Sequence, residues 1–308
     1  MDAETTPTPE IPRADRRRVP LDVVRGGLIG CAEVVPGVSG GTVALVAGVY
    51  GDLVDSAGHV VSAGRSALTA GPRAAREHLR RVRWPVVVPV LAGMVVALLA
   101  ATTVLEPVVA DHPVGSRAVF SGLVLASLVV PARMVGRWSP ARLATAGLAA
   151  VAAFLLTGVP AGTAVDPPLP LVAAAAALAV CALVLPGVSG SFLLLTIGLY
   201  EVTLAALSER DLAYLGAFAL GATIGLASFV RVLQHLLVQR TDLTLSVMTG
   251  LMAGSLRALW PWQGEDRTLL APGADLGPVA ALALAGAAGV VVLMLLQSRL
   301  ERRQEADA

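Results

Sequence analysis

Two short polar motifs, each set in an apolar segment, are the residues best suited to bind a ligand. The stretch CAEVVPGVSGGTVALVAGVY begins at Cys31 and CALVLPGVSGSFLLLTIGLY begins at Cys181; eight of their first ten positions are identical. Proline and glycine interrupt a helix and leave backbone N–H groups without partners, and serine is a good N-cap for the helix that follows. Because a helix N-terminus with free N–H donors attracts anions, the motifs predict an anion site that best fits phosphate or carboxylate.

Both motifs contribute to this predicted site. Glycine lets a ligand approach the backbone closely, and the hydroxyl groups add further donors. Close packing of helices by small residues is the alternative explanation of the same glycines and serines. The predicted phosphate-binding residues are Pro36, Gly37, Val38, Ser39, Gly40, Gly41 and Thr42 in the first motif and Pro186, Gly187, Val188, Ser189, Gly190 and Ser191 in the second.

Few other polar residues lie in apolar segments. Glu33, whose equivalent in the second motif segment is Leu183, is the acidic residue best placed to carry a proton, and a structural ion pair with an arginine is its alternative role. The sequence WPW at Trp260–Trp262 is typical of an interfacial anchor. Further candidates for coupling or for supporting the site are Arg25, Tyr50, Tyr200, Glu201, Arg231 and Arg257; of these, Arg25 and Arg231 could instead extend to the membrane interface.

The elements that carry the motifs are apolar enough to lie in a membrane. Of the 308 residues, 56% are hydrophobic, and the mean hydropathy is +0.75. Several runs of about 15–22 residues are nearly free of charge, and this length crosses a hydrocarbon core of ~30 Å. They predict an all-α polytopic membrane protein rather than a soluble helical bundle, and their continuous apolar character argues against a transmembrane β-barrel.

The chain repeats itself. The two motifs align at an offset of 150 residues, and SGLVLASL at Ser121 aligns with TGLMAGSL at Thr249 at an offset of 128. Two motif pairs in the same order indicate a duplication, with an insertion in the first copy at the basic loop 59–84. The predicted organisation is a disordered cytoplasmic tail (1–20), repeat unit one (21–137), a linking helix and loop (138–170), repeat unit two (171–262), a loop and final transmembrane helix (263–297) and a cytoplasmic tail (298–308).

The positions of the arginines predict the orientation in the membrane. The N-terminal tail and the loop 59–84 are both basic, so both flanks of the first motif segment should face the cytoplasm. A re-entrant or broken-helix hairpin satisfies this condition and a single crossing does not. Counting onward gives about six full spans and two opposed hairpins, with unit two inverted relative to unit one and both termini cytoplasmic. Eight crossings without hairpins is the alternative, and it would place the basic loop outside.

Several functional classes find no support in the sequence. The formal net charge of +1 creates no overall field for a nucleic-acid partner. No P-loop, HExxH or metal-binding cysteine pair is present, so neither a cofactor nor a metal site is predicted. Cys31 and Cys181 are expected to be small buried packing residues rather than a disulfide. The oligomeric state has no signature in the sequence.

Three stretches, PGVSGGTVALVAGVY, FSGLVLASL and GLMAGSLRALWPW, resemble the motifs of a bacterial and archaeal membrane family linked to translocation of polyprenyl phosphate, chiefly undecaprenyl phosphate (the PopT type). The resemblance covers about residues 21–297. It implies a multi-pass plasma-membrane transporter, not an enzyme, that returns the monophosphate lipid carrier from the outer to the cytoplasmic leaflet for cell-envelope synthesis. It places the headgroup on Pro36–Thr42 and Pro186–Ser191, where Ser191 replaces the second glycine of the first motif.

Two other functions use similar elements. A small-anion transporter would employ the same half-helices. A polyprenyl diphosphate phosphatase would need a cluster of acid and base groups, and Glu33 alone has the required character. Coupling of transport to protons through Glu33 is a hypothesis that the resemblance does not itself imply.

Overall fold

The protein is helical throughout its described part. The computed structural model describes residues 19–33, 39–160, 162, 166–264 and 266–306. Within these ranges, helices are joined by short turns, with one isolated β-bridge between Gln263 and Leu269 and no strand. The all-α prediction is therefore confirmed for these residues. Most of the predicted N-terminal tail lies outside them.

The helices vary from 6 to 31 residues in length. A 3₁₀ turn, Leu256–Leu259, follows the thirteenth helix. In chain order the helices are α1 (Val19–Glu33), α2 (Gly40–Val46), α3 (Tyr50–Thr69), α4 (Pro72–Arg81), α5 (Trp84–Asp111), α6 (Pro113–Ser127), α7 (Val129–Met134), α8 (Pro140–Leu156), α9 (Leu169–Val184), α10 (Gly190–Ile197), α11 (Tyr200–Glu209), α12 (Leu212–Gln239), α13 (Thr241–Ser255) and α14 (Leu276–Ala306).

Several helices have the length and composition of membrane spans. The continuous segment Pro113–Met134, which joins α6 and α7, and the helix α12 are each long and apolar enough to cross a bilayer. Two bent pairs, α4 with α5 at 76° and α10 with α11 at 102°, raise the number to four if each pair is one span. Shorter apolar helices include α8, α9 and the first part of α14. These helices suit a multi-pass membrane protein, while six spans with two hairpins remains a prediction.

Helix bounds recur along the chain. The helices α5 and α12 have 28 residues each and begin 128 residues apart, as do α6 and α13 with 15 residues each. The half-helices α2 and α10 begin 150 residues apart. The helix α3 is twice as long as α11, and α4 has no counterpart after α11.

The segment 59–84, predicted as a basic loop between membrane segments, is largely helical. The helix α3 continues to Thr69, and α4 packs back against it. Pro72 at the first helical turn suits a helix start, and the arginine-rich sequence that follows favours helix formation. Basic composition marks a segment as exposed to water, but it does not mark it as irregular.

Glycines allow the longest helices to pack closely in matching pairs. In α5, a side chain at Gly93 would collide with the carbonyl oxygen of Val23 in α1. In α12, a side chain at Gly221 would collide with the carbonyl oxygen of Ala173 in α9. The pairs α6–α14 and α8–α13 meet in the same way, at Gly122 against Ala283 and at Gly250 against Ala146. Small residues of this kind are how membrane helices approach one another.

The paired helices run parallel. Gly26 lies against Val90 and Gly30 against Met94, so the contacts advance in the same direction along α1 and α5. The same holds for α9 and α12, where Gly221 lies against Ala173 and Gly225 against Ala177. Each motif segment is thus anchored along one long helix.

The bundle has two distinguishable ends. At the Arg240 end, where α12 meets α13, the Gly136 N–H donates to Asp242 at 3.0 Å and Gln234 donates to the carbonyl of Val54 in α3 at 3.2 Å. At the opposite, Trp262 end, Ser121 of α6 donates to the carbonyl of Leu259 at 2.7 Å. The C-terminus of α10 also lies at the Trp262 end, since the Gly162 N–H donates to the carbonyl of Thr196 at 3.1 Å.

We predict that the Gly93→Ala variant is less stable than the parent, because its methyl group must push the α1 backbone away. Overpacking of this kind costs about 1–3 kcal/mol. The matched control is Gly147→Ala in α8, where nothing lies within 4 Å of the added carbon. Thermal unfolding in detergent should show a lowered midpoint for the first variant only, and equal midpoints for both would contradict the close approach.

Candidate functional site

The two motifs meet inside the bundle. The Gly187 N–H donates to the Thr42 hydroxyl at 2.9 Å, and the Ser39 hydroxyl donates to the carbonyl of Leu185 at 3.1 Å. The Tyr50 hydroxyl donates to the carbonyl of Val184 at 3.1 Å. We call residues 39–50 and 183–191 the motif junction. Side chains of the first motif therefore satisfy backbone groups that the helix break releases in the second.

The first half-helix has a carboxylate at its N-terminus. Glu33 accepts a hydrogen bond from the Gly40 N–H, and a side chain at Gly40 would collide with that carboxylate. Ser39 makes no side-chain capping bond, because its hydroxyl is used across the junction. Glu33 thus lies at the N-terminus of α2, with its carboxyl group against the Gly40 N–H.

Glu33 forms no ion pair with a described residue. The candidate partner Arg25 instead pairs with Asp22 at 2.9 Å, and the Asp22 side chain is only 1% exposed. Asp22, one helical turn away in α1, thus takes the place that Glu33 was considered for as the partner of Arg25. Arg25 is therefore paired within α1, and the arginine pair considered as the structural role of Glu33 is not found among the described residues.

The second half-helix is capped differently. The Phe192 N–H donates to the Ser189 hydroxyl at 3.3 Å, and the hydroxyls of Ser189 and Ser191 are 2.9 Å apart. Leu183 occupies the place next to Gly190 that Glu33 occupies next to Gly40. A cavity of about 110 Å³ lies beside this cap; its lining includes Gly187, Val188, Ser189, Thr157, Phe192 and Ala258.

A larger cavity adjoins it at the Trp262 end. This cavity, of about 500 Å³, shares Thr157, Phe192 and Ala258 with the smaller one. Its polar lining includes Arg117 from α6 and Arg267 from the loop before α14, and we call it the arginine cavity. Burial lowers the pKa of the Arg267 guanidinium, although arginine stays charged at neutral pH. Arg117 and Arg267 were not among the predicted site residues. They lie far apart along the chain, so the sequence alone does not indicate that they line one cavity.

Apolar surface flanks the first motif. A groove of about 630 Å³ lies between α1, α2, α6 and α14, and Cys31 is exposed along it. The prediction that Cys31 is buried was wrong, because the side of α1 that carries it faces this groove. Cys181 is partly buried, with its sulfur 3.7 Å from the carbonyl of Gly225, and both cysteines are free.

Only part of the predicted site residues meet at the motif junction. Pro36, Gly37 and Val38 lie outside the described residues. The structure brings Glu33, Gly40 and Gly41 together with the hydrogen-bonded residues of the junction, and Gly41 faces the carbonyl of Val184. Tyr200 packs in an apolar cluster with Leu199, and Pro186 is buried. No hydrogen bond or ion pair within the described ranges joins the junction to Arg25, Glu201, Arg231 or Arg257.

The tryptophans of WPW organise the loop that carries Arg267. The Trp260 indole N–H donates to the carbonyl of Leu270 at 3.0 Å, and that of Trp262 donates to Asp275 at 3.0 Å. Their rings also meet edge to face with centroids 5.4 Å apart. Their role thus includes holding the 260–275 loop in place, beyond the interfacial anchoring expected of them.

Known proteins resemble this chain. It matches the undecaprenyl phosphate translocase-like family over residues 29–275. A polyprenyl-phosphate transporter of Vibrio cholerae serotype O1 is 33% identical over 240 residues, which are 78% of this chain and 77% of that protein. A polyprenyl-phosphate transporter of Staphylococcus aureus is 25% identical over 263 residues, with 78% of this chain and 86% of that protein covered. No solved structure matches the chain.

We predict that Thr42→Val destabilises the protein while Thr42→Ser does not. Thr42 is 1% exposed, so valine would leave the Gly187 N–H buried without its acceptor, at a cost of about 1–3 kcal/mol. Serine keeps the hydroxyl. Thermal unfolding of the two variants in detergent measures the difference, and equal midpoints would show that this hydrogen bond does not hold the junction together.

Proposed function

Because this chain belongs to the undecaprenyl phosphate translocase-like family, we propose that it carries a polyprenyl monophosphate across the plasma membrane, from the outer to the cytoplasmic leaflet. The two relatives that share the name polyprenyl-phosphate transporter support a lipid phosphate as the substrate. Return of the carrier lipid to the cytoplasmic side would allow its reuse in cell-envelope synthesis. The transported lipid and the bilayer are the partners that this function requires.

The motif junction is the observation that carries the proposal. A phosphate headgroup cannot cross hydrocarbon unaided, whereas its prenyl chain can remain in lipid throughout. The protein therefore needs a polar point deep in an apolar bundle, with irregular backbone that is satisfied by protein. The junction supplies this point, and the apolar groove beside α1 and α2 lies next to it.

We infer that the two repeat units, 21–137 and 171–262, are inverted relative to each other. The motif segment of unit one runs parallel to α5, which begins at the Arg240 end because Gln234 of α12 contacts α3 there. The motif segment of unit two runs parallel to α12, which begins at the Trp262 end. Broken helices that enter from opposite ends support a binding point between them, as in transporters with discontinuous helices.

The Arg240 end is proposed to face the cytoplasm, with both chain termini on that side. Basic residues collect there in the turns that join spans, which include Arg133, Arg137, Arg142 and Arg240. The arginines at the Trp262 end are fewer, and Arg117 and Arg267 line a cavity rather than a loop surface. The orientation rule concerns loops, so arginines that line a cavity do not oppose this assignment.

The headgroup is proposed to bind at the junction, with Ser189 and Ser191 nearest to it. The N-terminus of α10 has no carboxylate comparable to Glu33 and faces a cavity. At α2 the headgroup would have to replace the Glu33 carboxylate on the Gly40 N–H. Protonation of Glu33 would favour this exchange, so Glu33 is the residue proposed to couple transport to protons.

We predict that Ser189→Ala combined with Ser191→Ala lowers the rate of lipid transfer about tenfold, by removing hydroxyl donors from the headgroup. The assay follows fluorescent polyprenyl monophosphate across liposomes that contain the purified protein. The control is Ser228→Ala, whose hydroxyl bonds only to carbonyls of its own helix.

The same liposomes separate the alternative functions. Transfer of the monophosphate by the parent protein supports the proposal, and an unchanged rate in the double variant would remove the two serines from the headgroup site. Release of inorganic phosphate from polyprenyl diphosphate would indicate a phosphatase. Flux of soluble phosphate without lipid transfer would indicate a small-anion transporter.

A further inference from the structure

Three arginines from separate segments converge at the Trp262 end. Arg117 belongs to α6, Arg257 to the 3₁₀ turn and Arg267 to the following loop. One Arg257 amino group lies 3.3 Å from the carbonyl oxygen of Arg267, which brings the second and third segments together. None of the three forms an ion pair with a described acidic residue. The charge of this cluster is therefore not neutralised by the described part of the chain.

The cluster also contains buried donors without acceptors. Nε of Arg257 and Nη2 of Arg267 are buried and have no hydrogen-bond partner among the described residues. Leaving a buried donor unsatisfied is unfavourable, and more so for a charged group. Of the two, Arg267 lines the arginine cavity, where an acceptor that carries negative charge would lie beside its guanidinium.

The Arg267 side chain is held in position before any ligand arrives. Its Nη1 donates to the carbonyl of Val159 at 2.6 Å and to the Thr196 hydroxyl at 2.9 Å, and its guanidinium lies 4.4 Å from the centre of the Phe192 ring. Arg267 has a φ of +58°, a left-handed conformation that is unfavourable for arginine. The hydrogen bonds and the ring contact fix the guanidinium at the cavity wall, so it differs from a mobile surface charge.

The arginine cavity leads toward the motif junction. Phe192 forms part of its wall and also donates its backbone N–H to Ser189, the cap of α10. The smaller cavity at Ser189 shares Phe192 and Thr157 with the arginine cavity. An anion held by Arg267 would therefore lie one cavity away from the second motif.

We propose that the arginine cavity is a capture site for a phosphate monoester at the Trp262 end, occupied by the lipid headgroup before it reaches the motif junction. This inference rests on the proposed transport function for the identity of the lipid. The planar guanidinium groups match phosphate oxygens in pairs, which gives a site selective for phosphate over neutral lipid.

Binding to the full chain in detergent tests the site directly. The probes are farnesyl monophosphate, farnesol and inorganic phosphate, followed by microscale thermophoresis. We expect farnesyl monophosphate to bind, and its affinity to fall at least about tenfold in Arg267→Gln and in Arg117→Gln. Arg267→Lys should retain more affinity than Arg267→Gln, because it keeps the charge.

Arg210→Gln is the matched control. Arg210 lies at the same end of the bundle, has a φ of +59° and is exposed outside the arginine cavity. The proposal predicts parental affinity for this variant. An equal loss of affinity in Arg210→Gln and Arg267→Gln would overturn the site in favour of general surface charge. Equal affinity for farnesyl monophosphate and inorganic phosphate would overturn the assignment to a lipid headgroup.

Transport separates this inference from the proposed function. In liposomes, the double variant Arg117→Gln/Arg267→Gln should need at least about tenfold more lipid for half-maximal transfer, with a maximal rate within about twofold of the parent. A parent protein that transports, with a double variant indistinguishable from Arg210→Gln, would overturn the capture site alone. A parent protein that binds farnesyl monophosphate through Arg267 but transfers no lipid would overturn the proposed transport and leave the capture site standing.

Discussion

Backbone polar groups that leave a helix inside an apolar bundle must find partners within the protein, and this requirement shapes the whole molecule. The break in the second motif is satisfied by Thr42, Ser39 and Tyr50 of the first, so the second broken helix depends on the first for its hydrogen bonds. The glycine-mediated helix pairs hold the two breaks at the depth where these bonds form. Two further helix pairs join distant parts of the chain: α14 packs on α6, and α8 packs on α13.

The two half-helices are alike in backbone and different in charge. Glu33 places a carboxylate on the Gly40 N–H, whereas Leu183 places a hydrocarbon chain next to Gly190. The N-terminus of α2 therefore has an acidic partner within the chain, whereas the N-terminus of α10 lies beside a cavity. Arg117 and Arg267, which form no ion pair with a described residue, lie on the side of the half-helix that lacks its own carboxylate, so these electropositive groups collect on one side of the junction.

Hydropathy and repeated motifs in the sequence predicted the helical class and the repetition of helices along the chain. Hydropathy predicted an all-α protein, and the offsets of 150 and 128 residues reappear in the bounds of α2 and α10 and of α5 and α12. Contacts between distant segments were not predictable in this way. Arg25 has its partner in Asp22 rather than near Glu33, and Cys31 faces a groove that only the packing of α14 creates. Arg117 and Arg267 were not predicted to lie together, because nothing in the sequence indicates that their segments meet.

The difference between Glu33 and Leu183 bears on the energies of the two conformations through which such a protein would alternate. If inverted repeats were identical, a two-fold rotation would relate the two conformations, their free energies would be equal, and the empty protein would populate both equally. A carboxylate on one side only, together with the additional helix α4, removes that degeneracy. If the chain alternates as proposed, its two conformations would therefore be unequally populated when empty, and a headgroup that competes with Glu33 would act on that unequal population.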